Sequence, residues 1–238
     1  MSENTTRTAR YTGLAYLGII ATGIFAEVGV RMPLIVEHDP AATTANIAAD
    51  ALLFRAGILA DVAMVGLDVA VAVGLLALLQ HVHKPLAQLA AALRLIQAAV
   101  ISANLMNMTR AVQLATGGPS ADALGSATGG LVLASMEVHG VVYDLGLVFF
   151  GLSCLVLSRL LYTSRSVPSA LAVALGFSGV VYLVGSFVAL CVPAWSATLD
   201  PLYGVAFLSE LGFALWLVTR GVTLNSGSSA QATQVAAS

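Results

Sequence analysis

Long apolar runs separated by short polar segments dominate the chain. A helix that crosses the bilayer core needs about 20 mostly apolar residues. Six runs meet this length, at residues 11–30, 52–79, 86–112, 131–162, 170–192 and 202–222. Residues that interrupt helices lie between the runs: Pro40, Pro85, Gly117, Gly118, Pro119, Pro168, Pro193 and Pro201. The pattern predicts an all-α fold, a polytopic integral membrane bundle of six transmembrane helices.

The fourth run is longer than a bilayer requires. As a helix it would extend for about 48 Å, against a hydrocarbon core of about 30 Å. Either its first turns project beyond the bilayer or the helix bends, in which case Gly140 and Gly146 are the candidate hinges.

Composition agrees with a lipid environment. Hydrophobic residues make up 58% of the 238 positions and charged residues only 9%, whereas a soluble domain carries about 25% charged residues. The net charge of −2 offers no basic surface for nucleic acid. The lipid bilayer is therefore the partner that the sequence indicates, and a soluble domain is excluded.

Basic residues near the ends of the runs predict an orientation, because cytoplasmic loops are enriched in Lys and Arg. Six of them fall on one side if the N-terminus is cytoplasmic: Arg7, Arg10, Lys84, Arg159, Arg165 and Arg220. Both termini are then cytoplasmic. The chain divides into a cytoplasmic segment (1–10), a six-helix transmembrane domain (11–222) and a disordered cytoplasmic tail (223–238).

Several ionisable residues lie inside the predicted spans, where each costs at least about 2.5–3.5 kcal/mol at the bilayer centre. They are the acids Glu27, Asp61, Asp68, Glu137, Asp144 and Glu210, the bases Arg55 and Arg94, and His139. Acids outnumber bases, so the interior cannot hold every carboxylate ionised without a further cation. Some acids are protonated, or a cation occupies the site, or some acids point outward to headgroups or a water-filled vestibule.

Helical spacing predicts which of these residues meet. Asp61 and Asp68 are seven positions apart and share one helix face. Arg94 lies on a stripe that ends at Asn104, at a depth comparable to that of Asp68, which predicts an Asp68–Arg94 ion pair. Arg55 lies about 120° around the helix from Asp61.

We therefore expect Arg55 to pair with an acid on another helix, such as Glu27 on the first helix. In the fourth span, His139 and Tyr143 lie on one face, and Glu137 and Asp144 lie on another. The candidate binding cluster is Glu27, Arg55, Asp61, Asp68, Arg94, Asn104, His139, Tyr143 and Glu210. The sequence assigns no catalytic residue, cofactor or oligomeric state, and with no metal-binding motif it predicts no metal ligand. Close helix packing is expected at Gly176, Gly179 and Gly185.

Five strings in order carry a family resemblance: AYLGIIATGIFAEVGVR (15–31), LFRAGILAD (53–61), LRLIQAA (93–99), VHGVVYDLGLVFFGLSCL (138–155) and SELGFALWL (209–217). Together they resemble the bacterial multipass membrane family catalogued as domain of unknown function 4386. The resemblance implies a multi-pass protein of the bacterial plasma (inner) membrane without an assigned activity. It implies polar residues at Glu27, Arg31, Arg55, Asp61, Asp68, Arg94, His139 and Glu210, and an apolar residue in relatives where this chain has Asp144.

Three functions remain open at this point. The buried acids favour a small-molecule or proton-linked permease or a membrane sensor, whose ligand would be a small molecule or a proton. Ion pairs that only fix helix register favour a non-catalytic membrane scaffold. Glu137, His139 and Tyr143 in one site would suit an intramembrane enzyme acting on a lipid or isoprenoid.

Overall fold

A computed structural model describes residues 3–220, and its regular structure is entirely helical. The longer helices are α1 (Glu3–Ile24), α2 (Pro40–Ala49), α3 (Ala51–Ala115), α4 (Pro119–Leu124), α5 (Thr128–Ser164), α6 (Ser169–Cys191) and α7 (Ser196–Thr219). Five helical segments are long and apolar enough to cross a membrane, which supports a membrane-embedded helical protein. The tail predicted at 223–238 lies outside the described residues.

The first segment begins earlier than its apolar run, because α1 starts at Glu3. Its last turns form a π-helix, Phe25–Arg31, which continues into the short helix Met32–Leu34. A π-helical turn widens the backbone and is often found at functional sites. Here it ends at Arg31, which is buried.

Helix α3 is a hairpin. Its 65 residues would extend for about 97 Å as one rod, but His83 has non-helical angles, φ −157° and ψ 92°. Pro85 follows, and the backbone N–H of Leu86 donates to His83 Nδ1 at 3.3 Å. We call the two arms α3a (51–82) and α3b (84–115). The ion pair between Asp68 and Arg94 joins the arms, so the chain reverses direction at His83.

Neighbouring helices are antiparallel. In α1 and α3a, Gly18 lies beside Leu67 and Thr12 beside Gly74, so positions rise in one helix as they fall in the other. Packing continues from α3 to α5, from α5 to α6, from α6 to α7, and from α7 back to α1. The result is a closed up-and-down bundle.

The bundle has two chemically different ends. One end carries the start of α1, the turn of α3 and the ends of α5 and α7, and we call it the basic end after Arg7, Arg10, Lys84, Arg159, Arg165 and Arg220. The opposite end carries the π-helix and the loop before α2, and we call it the acidic end after Glu27, Glu37, Asp39, Asp50, Asp122 and Glu137. Large exposed apolar residues such as Leu52, Leu59, Met106 and Leu208 lie between the ends, as expected of a lipid-facing surface.

Helix α5 is continuous through both predicted hinges. No residue in Thr128–Ser164 interrupts it, so neither Gly140 nor Gly146 breaks the helix. Gly146 instead makes room for α3b, since a Cβ there would lie 2.9 Å from Ile101 Cδ1. Pro201 was expected between helices but lies inside α7, which begins five residues earlier at Ser196.

Small residues bring α5 and α6 into backbone contact. A Cβ on Gly179 would lie 2.7 Å from the carbonyl oxygen of Gly151, and a Cβ on Gly176 would lie 2.6 Å from Ser158 Oγ. At the α6–α7 contact, a Cβ on Gly185 would lie 2.1 Å from the Tyr203 hydroxyl. The predicted close packing at these three α6 glycines is confirmed.

Candidate functional site

Each of the six bundle segments contributes one side chain to a cluster in the middle of the protein. We call it the central cluster, and its members in the order α1, α3a, α3b, α5, α6, α7 are Tyr16, Asp68, Arg94, Phe150, Tyr182 and Glu210. A closed circuit of polar and aromatic contacts runs through five of the members, and the sixth, Asp68, is attached to it through Arg94. The cluster therefore connects all six segments.

Arg94 is the cation of the central cluster and is 2% exposed. Its Nε donates a hydrogen bond to Asp68 Oδ1, as predicted. The guanidinium carbon lies 4.8 Å from the Tyr16 ring centroid and 4.9 Å from that of Phe150, so two aromatic faces flank the charge. Arg94 Nη2 and Asp68 Oδ2 are buried without a hydrogen-bond partner among the described residues.

Glu210 accepts hydrogen bonds from two tyrosines. The Tyr16 hydroxyl donates to Oε2 at 2.9 Å, and the Tyr182 hydroxyl donates to Oε1. Tyr182 also packs edge-on against Phe150, with ring centroids 5.2 Å apart. Because Glu210 is 7% exposed, these two donors replace the water that a carboxyl group would otherwise bind.

A second polar cluster lies toward the acidic end and is centred on Arg31. Its Nε donates to Glu27 Oε2 at 2.7 Å, and its Nη1 donates to Asp61 Oδ2 at 2.6 Å. Asp61 is buried, at 1% exposure, while the Glu27 side chain is 56% exposed. Arg31 therefore compensates the deeply buried acid and links the π-helix to α3a.

The predicted Glu27–Arg55 pair is wrong. Glu27 and Arg31 lie four positions apart on one helix, so they meet without any interhelical contact. Arg55 is exposed in the second turn of α3, on the outer surface of the bundle near the acidic end. Its side chain is placed to reach water or lipid headgroups, and it is not part of either cluster.

Asn104 and His139 connect α3b to α5. Asn104 Nδ2 donates to the backbone carbonyl of His139 at 2.8 Å, and Asn104 Oδ1 accepts from Asn107 Nδ2 at 3.0 Å. The His139 ring is 4% exposed, yet neither ring nitrogen has a hydrogen-bond partner in the described part of the chain. A neutral imidazole normally donates a hydrogen bond from one nitrogen and accepts one at the other. The His139 ring makes neither of these hydrogen bonds with the described residues.

Two cavities adjoin these clusters. The inner cavity has a volume of about 210 Å³, and its polar lining is Asp68, Arg94, Gln97, Tyr143, Tyr182 and Glu210. The unpartnered atoms of Asp68 and Arg94 thus belong to residues that line this cavity.

The outer cavity lies at the acidic end and has a volume of about 840 Å³. Four carboxylates line it, those of Glu27, Glu37, Glu137 and Asp144, together with Arg31, His38, His139 and Tyr143. Apolar residues such as Met32, Ile35 and Met136 complete its walls. Tyr143 lines both cavities, so the two spaces adjoin at this residue.

The predicted binding cluster therefore divides into two layers. Asp68, Arg94 and Glu210 belong to the inner layer, and Tyr143 lies between the layers. The outer layer contains Glu27, Asp61 and His139, with Asn104 holding the backbone of His139. Of the predicted members, Arg55 alone stands apart from both.

Sequence reasoning missed the aromatic half of the central cluster and the role of Arg31. Tyr16 and Phe150 sit in apolar runs where an aromatic residue carries no distinguishing pattern. Tyr182 shares a polar stripe with Ser178 and Ser186 at i, i+4 spacing, but that stripe does not identify its partner. Arg31 had a usable signal, because it lies four residues after Glu27 in the same helix. The described residues contain no group of three or more His, Cys, Asp or Glu side chains that could hold a metal ion.

Comparison with known proteins gives a family but no close relative. No curated protein and no solved structure matches the chain. The family model described as Domain of unknown function (DUF4386) matches residues 11–221, which include every residue of both clusters and both cavities. The chain therefore belongs to the family of domain of unknown function 4386.

Proposed function

We propose that the protein is a small-molecule permease or membrane sensor that binds its ligand in the two adjoining cavities whose linings share Tyr143. The main support comes from residues in the lining of both cavities whose buried polar atoms have no hydrogen-bond partner among the described residues. Asp68 Oδ2 and Arg94 Nη2 belong to residues of the inner cavity, and two ring nitrogens belong to His139 of the outer cavity. Buried polar groups are normally hydrogen-bonded. A ligand or ordered water entering from the acidic end would supply the missing partners.

The membrane arrangement that goes with this function has six spans, with α3a and α3b crossing separately, and both termini in the cytoplasm of a bacterial cell. The hairpin at His83 and the six basic residues of the basic end support it. The outer cavity then opens away from the cytoplasm. A fluorescent protein and an alkaline phosphatase fused after Ser238 test the orientation. Fluorescence without phosphatase activity is expected, and the reverse would overturn it.

A bulky substitution at Tyr143, where the two cavities adjoin, tests ligand binding. Purified wild-type protein is screened for thermal stabilisation by a library of small polar compounds, beside Tyr143→Trp, whose larger ring would fill the junction. Tyr162→Trp is the matched control, because Tyr162 is exposed near the basic end. We expect compounds that stabilise the wild type and Tyr162→Trp but not Tyr143→Trp. Uptake of these compounds into proteoliposomes would identify a permease, and binding without uptake a sensor.

The scaffold is the second candidate, because one ion pair links the π-helix to α3a and another links the two arms of α3. If the protein is a scaffold, no compound in the screen should stabilise the wild type. Replacing both partners of the central ion pair, Asp68→Leu with Arg94→Leu, should also leave cellular phenotypes unchanged. Both results together would overturn the proposed binding function. The predicted enzyme site, Glu137, His139 and Tyr143, lies along the same outer cavity, but nothing in its geometry favours a reaction over binding.

A further inference from the structure

The outer cavity has a strong imbalance of charge. Glu27, Glu37, Glu137 and Asp144 line it, and Arg31 is the one Lys or Arg in the lining. Arg31 is already engaged by Glu27 and by Asp61 behind the wall. No described Lys, Arg or His forms an ion pair with the other three acids, Glu37, Glu137 and Asp144. A bound cation would be favoured here and a bound anion repelled.

His139 supplies an independent sign of a ligand. His139 belongs to the lining of the outer cavity and is 4% exposed, and neither of its ring nitrogens has a hydrogen-bond partner among the described residues. A neutral imidazole offers one acceptor nitrogen, which suits an N–H donor. The Tyr143 ring lies 6.1 Å from the His139 ring, centroid to centroid, and Tyr143 also lines the cavity. An aromatic ring in the lining can attract a cation.

The size and lining of the cavity distinguish among cations. A volume of about 840 Å³ is in the range typical of sites for small organic molecules. A bare metal ion needs several converging ligands, and the described residues contain no such group. Met32, Ile35, Leu133 and Met136 in the walls offer apolar contacts that a hydrated inorganic cation would not use.

We propose that the outer cavity binds an organic ammonium ion with an apolar body. The ammonium group would lie among Glu137, Asp144 and His139, and the apolar body against Met32, Ile35 and Met136. This inference rests on the proposed binding function and specifies its ligand class. The ammonium could belong to a free amine or to the headgroup of an amine-bearing lipid, since the recognised chemistry is the same.

Three probes with one body and different head groups test the charge preference. The full-length protein is placed in nanodiscs of phosphatidylglycerol, which has no amine, and titrated with 2-phenylethylamine, 2-phenylethanol and 3-phenylpropionate. We expect the amine to bind at least ten-fold more tightly than the other two. Equal binding of amine and alcohol, tighter binding of the carboxylate, or no binding of the amine would overturn the inference. Tyr143-dependent binding of the alcohol or carboxylate would overturn it while leaving the proposed binding function intact.

Substitutions locate the site. The double variant Glu137→Gln with Asp144→Asn removes two charges from side chains that are exposed and half-buried, so folding should survive. We expect it to weaken amine binding at least ten-fold. The matched control is Asp122→Asn, an exposed acid at the same end that does not line the cavity, and it should bind like the wild type. Unchanged affinity in the double variant, or an equal loss in the control, would overturn the assignment.

Lipid composition then separates the two sources of the ammonium group. Half of the phosphatidylglycerol is replaced by phosphatidylethanolamine and the amine titration is repeated. Weaker apparent binding of 2-phenylethylamine would show that the lipid amine competes for the cavity, and unchanged binding would indicate a free amine. Either result supports the ammonium site, provided that the charge preference holds in phosphatidylglycerol alone.

Discussion

Arg94 in one arm of the α3 hairpin donates a hydrogen bond to Asp68 in the other, and their side chains are only 2% and 4% exposed. Two charges brought out of water are costly unless each compensates the other. The flanking rings of Tyr16 and Phe150 add cation–π attraction for the guanidinium. The hairpin is therefore held at its centre by a contact that neither arm could make alone.

Breaking this pair on one side should cost more than removing both partners. Asp68→Leu or Arg94→Leu leaves one buried charge uncompensated, and we expect each to lower the free energy of unfolding by about 3–5 kcal/mol. The double variant removes both charges and should recover part of that loss. Chemical unfolding of the purified protein in detergent, followed by circular dichroism, measures all three.

Arg55→Leu is the control for this series, because Arg55 is exposed and outside both clusters. It should unfold like the wild type. A double variant that loses the sum of the two single losses would contradict the account, because independent residues would then explain the result without a pair.

The Arg31 cluster makes an asymmetric prediction. Asp61 is almost completely buried, whereas the Glu27 side chain is 56% exposed. Arg31→Gln leaves the buried carboxylate of Asp61 without its ion-pair partner. It should destabilise the protein by about 3–5 kcal/mol. Glu27→Gln breaks a largely exposed contact and should cost about 0–1 kcal/mol. Thermal unfolding in detergent compares the two variants, and equal losses would contradict the assignment of Asp61 as the acid that requires Arg31.

The sequence was sufficient to predict an all-helical fold with helices long and apolar enough to cross a membrane, because apolar length and chain breakers are local properties. It also predicted the Asp68–Arg94 pair, since both residues lie at similar depths on adjacent antiparallel arms. It predicted the wrong partner for Glu27, although Arg31 lies four positions later in the same helix. It did not predict the partner of Asp61, because that choice depended on how the π-helix and α3a are rotated. That rotation is set by contacts such as Val30 against Gly57, which no helical periodicity specifies.

The aromatic members of the central cluster were beyond sequence reasoning for a related reason. Tyr16, Phe150 and Tyr182 lie in apolar runs on three different helices. Their meeting around Arg94 and Glu210 depends on the closed order of packing around the bundle. A polar side chain in an apolar run indicates that it needs a partner, but the identity of the partner is a property of the tertiary structure.

The crossing of α5 and α6 should not tolerate a methyl group. A Cβ on Gly179 would lie 2.7 Å from the backbone oxygen of Gly151, and a backbone atom cannot rotate away. Gly179→Ala should therefore separate the helices and cost about 1–3 kcal/mol. Gly204→Ala in α7 is the control, since its Cβ would have no neighbour within 4 Å. Differential scanning fluorimetry on both variants is the measurement, and an equal effect at the two glycines would be evidence against close contact at this crossing.

The hydroxyls of Tyr16 and Tyr182 both donate to Glu210. Each should contribute much less to the free energy of unfolding when Glu210 is absent. Tyr16→Phe and Tyr182→Phe each remove one hydroxyl and keep the ring, so the aromatic contacts of Phe213 and Phe150 remain. In the wild-type background each should cost about 1–3 kcal/mol, because a buried carboxyl oxygen loses its donor.

In a Glu210→Ala background the same tyrosine substitutions should cost much less, because no carboxyl oxygen remains to be satisfied. A double-mutant cycle from denaturant unfolding measures the difference for each tyrosine separately. Tyr11→Phe is the matched control, as Tyr11 is 63% exposed and should behave alike in both backgrounds. If Tyr16→Phe or Tyr182→Phe lowers the free energy of unfolding as much without Glu210 as with it, that hydroxyl acts through a partner other than Glu210. The contact between that tyrosine and Glu210 would then not contribute to the circuit of contacts that includes Arg94.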